Sequence, residues 1–141
     1  MRPFPFLTLA QTLLLLRLAT AFIFFAHAAV RVWNGSIEQF GDFLNTKGLI
    51  YGHLTVWGIT AFEIVGSVLM ALGYFVRVLS AGFIAMLLIG IVLIHASLGW
   101  FVGEHGTGGS EYSFLLIIAL LVLAATEEKR QTQAISEAQP L

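Results

Sequence analysis

Four stretches of the chain are almost free of polar residues, and the polar positions gather between them. They run over Thr8–Trp33, His53–Phe75, Arg77–Phe101 and Ser110–Thr126. A helix that crosses a bilayer needs about 20 residues, each rising ~1.5 Å. The first three stretches meet that length. The fourth is short and must recruit part of its Gly-rich lead-in or sit where the bilayer thins. Between Asn34 and Gly52 the pattern changes. Ile37, Phe40 and Leu44 recur at i, i+3 and i+7 on one face, with Glu38, Asp42 and Asn45 mostly elsewhere. This spacing predicts a short amphipathic helix lying at the interface. Gly73 to Arg77 reads as a tight turn, and Gly103 to Ser110 as a flexible loop. The expected fold is an all-α integral membrane protein. It is a four-transmembrane-helix bundle with a short interfacial helix after the first span. Residues 1–126 form the membrane domain and residues 127–141 a polar, frayed cytoplasmic tail.

Composition agrees with the pattern. Of 141 residues, 58% are hydrophobic and 11% charged, far below the ~25% charged of soluble domains. The lipid bilayer is the natural solvent for such a chain. A net charge of −1 gives no basic field for nucleic acid. There is no cysteine, which excludes disulfides, thiolate metal sites and cysteine nucleophiles. Arg2, the apolar run and Ala26-His27-Ala28 imitate a signal peptide, but Arg17 interrupts the run, so the segment reads as a retained span. Arg2, Arg77, Lys129 and Arg130 fall at one end of the spans, and Arg31 and Lys47 at the other. That bias predicts both termini in the cytoplasm of a bacterium, with the chain multi-pass in the plasma (inner) membrane. Trp33, Trp57 and Trp100 all fall near the opposite face, as an aromatic belt would. Gly106-Thr107-Gly108-Gly109 lacks the Gly-Lys-Ser/Thr ending of a phosphate loop, and His105 reads as solvated.

Charges inside a bilayer cost roughly 2.5–3.5 kcal/mol each, so each one within a span needs a reason. The candidates are Arg17, His27, Arg31, Glu63, His95 and Glu111. Arg17, His27 and Arg31 fall within about 80° of one another on the first helix. Glu63 shares a face with Gly66, Met70 and Gly73, where glycine lets helices approach closely. His27, His95 and Glu111 come from three helices yet share one depth, with Glu63 somewhat deeper. The expected pairing is Arg17 with Glu63, the arginine holding the carboxylate ionised. Arg31 and Lys47 are expected at lipid headgroups, and Trp57 and Trp100 as interface anchors or quinone contacts. The polar intramembrane site is therefore Arg17, His27, Glu63, His95 and Glu111, supported by Arg31, Tyr112, Trp57 and Trp100. Two histidines and two carboxylates are a sound donor set for a transition metal or a haem-associated site, although no single helix has ligand spacing. As metal ligands the candidates are His27, His95, Glu63 and Glu111. The bland alternatives stay open: Glu63 in a structural ion pair, the histidines in helix–helix hydrogen bonds, Glu111 favouring a helix N-terminus.

The arrangement resembles the DoxX family of small bacterial membrane proteins. The resemblance rests on Leu14-Leu15-Leu16-Arg17-Leu18-Ala19 and on Phe24-Phe25-Ala26-His27-Ala28-Ala29-Val30-Arg31. It continues in Glu63-Ile64-Val65-Gly66, the turn from Leu72 to Arg77, Ile94-His95 through Gly99-Trp100-Phe101, and Gly109-Ser110-Glu111-Tyr112. Two positions depart from the family pattern: Ala28 where glycine is usual and Arg31 where lysine is common. The resemblance implies a membrane subunit linked to redox chemistry, one branch being similar to a subunit of a thiosulfate:quinone oxidoreductase, others to anchors in oxidative-stress complexes.

Three functions follow as expectations. The first is a redox-associated subunit, conceivably part of an oxidoreductase, binding a quinone head group, a metal or haem, or a small substrate near the outer face. The second is a non-catalytic anchor or scaffold for a redox or stress-response complex, with a soluble redox protein as partner. The third is a small transporter. A homo-oligomer is compatible with each.

Overall fold

The structure is a computed structural model that describes Phe4, residues 6–103 and residues 108–138, with side chains as far as residue 127. Glu104, His105 and the Gly106-Thr107 part of the glycine loop lie outside the described residues. All regular structure among the described residues is helical. Helix α1 spans Leu9–Trp33, α2 Ile37–Thr46, α3 Gly52–Leu72, α4 Val76–Gly90 and α5 Glu111–Ala138. A π-helical turn at Ile91–His95 and a 3-10 turn at Ala96–Leu98 prolong α4. Three of these units are long and apolar enough to cross a membrane: Leu9–Trp33, Gly52–Leu72 and Val76–Leu98.

Local chemistry sets the boundaries. Thr8 opens α1 with a capping box, its hydroxyl accepting from the Gln11 backbone while the Gln11 side chain accepts from the Thr8 N–H. Gly73 closes α3 in the left-handed region at φ 86°, and the Tyr74 N–H donates back to the Leu69 carbonyl. Phe75 is also left-handed, at φ 52°, so two consecutive turns reverse the chain within three residues. The predicted frayed tail is instead helical: α5 continues without a break to Ala138.

Helix α1 lies chiefly against α3, and α4 against α5. The core joins both pairs through Ala21, Phe24, Met70, Phe83, Leu116 and Leu120. Around it the outer surface is apolar: Val92 is 74% exposed, Val78 70% and Phe22 69%. Water would not tolerate that surface, whereas acyl chains match it. Helix α2 lies across the start of α3. Its apolar residues Ile37 and Leu44 are buried there with Val56, as its spacing predicts. The crossing is close because Gly41 and Gly52 present no side chain: a methyl on Gly41 would collide with His53, and one on Gly52 with the Gly41 carbonyl. The Asn45 side chain accepts from the Gly52 N–H at 2.8 Å. His53 Nε2 lies 2.9 Å from Asp42 and 3.6 Å from Glu38, one helical turn apart on α2.

Candidate functional site

Helix direction decides which arginine meets Glu63. Side chains on a helix lean toward its N-terminus. Arg31, near the end of α1, therefore leans back into the bundle toward the middle of antiparallel α3. Its Nη1 donates to Glu63 Oε2 at 2.7 Å and to the Thr60 hydroxyl at 2.9 Å. The side chains are only 10% and 4% exposed. Thr60 in turn donates to the Val56 carbonyl at 2.7 Å, and the Phe40 ring lies 5.5 Å from the guanidinium carbon of Arg31.

This corrects two expectations. Arg31 is not a headgroup contact; it is the ion-pair partner buried in the bundle. Arg17 does not meet Glu63, because the same lean toward the α1 N-terminus carries it past Glu63 to the C-terminal end of α3. Its guanidinium packs on Gly73, so that a methyl there would lie 3.0 Å from Nη1. The position suits a cation, since the C-terminal end of α3 carries partial negative charge. The Arg17 Nε is buried without a hydrogen-bond partner.

The Arg31–Glu63 pair forms one wall of a cavity of about 680 Å³. Pockets for small molecules usually measure ~300–1,000 Å³ and are mostly apolar with a few placed polar groups. His27, His95, Tyr112 and Ser113 supply such groups here, on α1, the π turn and α5. His27 makes no hydrogen bond among the described residues. His95 Nδ1 is buried and unpartnered, close to Gly108. The π turn that ends on His95 interrupts the regular ladder of α4, and such interruptions gather at functional sites. Phe24 and Phe62 line the cavity and both pack on Phe83, Phe24 stacked on it with ring centroids 4.1 Å apart and Phe62 tilted against it at 4.8 Å. Phe40 and Leu44 of α2 line its opposite end.

Of the residues expected at the site, the cavity gathers His27, Arg31, Glu63, His95 and Tyr112. Arg17, Glu111, Trp57 and Trp100 do not line it. Glu111 instead accepts from the Val102 N–H at 2.9 Å and fastens the loop before α5. Trp57 and Trp100 are half-exposed, and Trp33 is 90% exposed. Among the described residues no three His, Cys, Asp or Glu side chains converge to hold a metal ion. Of the donor set, His27, His95 and Glu63 line the cavity and Glu111 does not. Thr60 and Ser113 were missed by sequence reasoning. Thr60 carried a usable signal, since it lies three residues before Glu63 on the same helical face.

The DoxX family model matches residues 12–96. The chain belongs to the DoxX family. That match and the three apolar helices make it a multi-pass membrane protein. The DoxX match takes in α1 to α4 and ends just after His95, so it contains the ion pair and both cavity histidines. Helix α5, with Tyr112 and Ser113, lies outside it. No match was found among curated proteins or among solved structures.

Proposed function

We propose that this DoxX protein binds a small molecule in the cavity between its helices, as a membrane subunit serving redox chemistry. The observation that supports it most is the cavity itself. An apolar recess of this size with a few placed polar groups is the usual form of a small-molecule site. In this reading His27 and His95 hydrogen-bond the polar end of the guest. Arg31 and Glu63 hold that wall in shape and keep their charges satisfied. A quinone head group fits the cavity's chemistry, an apolar box with a few polar contacts. The reading places α5 across the membrane as a fourth span, with the Ser110–Thr126 stretch as its apolar run. It places α2 at the outer interface and both termini in the cytoplasm of a bacterial cell.

The test is an optical spectrum with quinone and metal analysis of protein extracted under mild conditions. The expected result is a stoichiometric organic guest, lost in His27→Ala and His95→Ala variants that still fold. A preparation free of any guest, with those variants unchanged, contradicts the reading. A second reading is favoured by one feature: α5 runs on as helix past its apolar stretch to Ala138. This polar extension suits docking of a soluble redox protein, which native co-purification would recover at fixed stoichiometry with the full chain and lose on truncation after Thr126.

A further inference from the structure

The walls of the cavity are unequal. Toward the end that carries α2, Phe40, Leu44 and Leu49 cover it. That cover is pinned by the Asn45–Gly52 hydrogen bond and by the His53 contacts with Asp42 and Glu38. Toward the opposite end Phe24 and Phe62, both packed on Phe83, line it. Within each pair, α1 with α3 and α4 with α5, the helices are in extensive contact. Helices α3 and α4 differ. They make far fewer contacts with each other, and near their shared turn Gly66 faces Phe83 and Gly82 faces Phe62. Nearer α2 the lining from these two helices includes glycines and exposed side chains. Gly58 and Gly90 have nothing within 4 Å of where a methyl would stand. Ala85 and Ile89 line the cavity yet are exposed.

Resting on the binding reading above, we propose that the cavity opens sideways between α3 and α4 and takes a neutral amphiphile directly from the acyl-chain phase. The gap lies along helices whose outer surface is apolar, so the phase that meets it is hydrocarbon rather than water. Neutrality follows from charge balance. Arg31 and Glu63 are the only Arg, Lys, Asp or Glu side chains among the described residues of the lining, and they neutralise each other. An anionic or cationic head would enter a low-dielectric site whose Arg and Glu charges already satisfy each other. A hydroxyl or carbonyl instead finds His95 Nδ1 and the His27 ring, neither hydrogen-bonded among the described residues. The guest is thus an apolar body ending in a hydroxyl or carbonyl.

The test uses the full chain in lipid bilayers and a diazirine-bearing octanol as photoprobe, against a sulfonate of the same chain. Adducts on Ile59 and Leu93 report arrival in the cavity. The octanol is expected to label both, and the sulfonate neither. Gly58→Leu with Gly90→Leu adds bulk where there is open space, so folding is retained. In that variant the initial rate of octanol labelling is expected to fall about tenfold while the final extent is kept. Asn45→Ala, which unpins the α2 cover without touching the cavity lining, is expected to leave the rate unchanged. Sideways access is overturned if Asn45→Ala raises the rate or the glycine variant leaves it unaltered, and neutrality if the sulfonate labels as well as the octanol. Absence of all cavity adducts, with the lipid-facing Val65 still labelled, defeats the binding reading itself.

Discussion

The two halves of the bundle use the same residue types to opposite ends. Near the α3–α4 turn, Gly66 and Gly82 are filled by a neighbour: a methyl on Gly66 would sit 3.2 Å from the Phe83 ring, and one on Gly82 2.7 Å from Phe62. Around them Ser67, Ser80, Met70 and Leu120 are almost fully buried. Nearer α2, Gly58 and Gly90 face open space. Glycine packs helices together in the first region and widens a void in the second. The stacked phenylalanines mark the border. Without a hydrophobic drive between helices in lipid, close packing supplies most of the cohesion, so the tight half holds the bundle and frees the other half to be hollow.

Substitutions that break this contrast should rank accordingly. Glu63→Ala strands the buried Arg31 guanidinium and should cost about 3–5 kcal/mol, read as earlier unfolding in detergent titration. The double replacement Glu63→Met with Arg31→Met should recover most of that loss. Phe83→Ala removes the centre of the aromatic stack and should cost about 3–5 kcal/mol by the same measurement. Gly82→Leu drives a side chain into Phe62 and should cost about 1–3 kcal/mol. Gly58→Ala should have the reverse sign, stabilising by up to about 1 kcal/mol, because the helix gains propensity and nothing is displaced. Equal costs at Gly82 and Gly58 would erase the distinction between the halves.

Much of the fold was legible because a bilayer needs long apolar runs. The first three stretches locate α1, α3 and the Val76–Leu98 unit of α4 with its π and 3-10 turns within a few residues, and the spacing of Ile37, Phe40 and Leu44 finds α2. The site was only partly legible. Residue type and depth suffice to nominate His27, Glu63 and His95. They do not choose between Arg17 and Arg31 as partner, because depth along the axis ignores which way a side chain leans. Leaning toward the N-terminus takes Arg31 to Glu63 and Arg17 to Gly73. The π turn was invisible for another reason: Ile91 to His95 has no composition that marks an extra residue in a helical turn. Glu111 lies off the cavity because its carboxylate turns to the Val102 N–H, a contact that residue type and position in the chain do not reveal.

The most direct test asks whether the hollow half holds a guest. Wild-type protein and Ala85→Phe, which fills the cavity from its exposed α4 wall, are extracted under mild conditions and analysed for retained small molecules by native mass spectrometry. A neutral apolar molecule bound at fixed stoichiometry to the wild type, and lost from a folded Ala85→Phe, is the predicted result. Identical spectra from the two proteins, with no retained mass in either, would contradict the account.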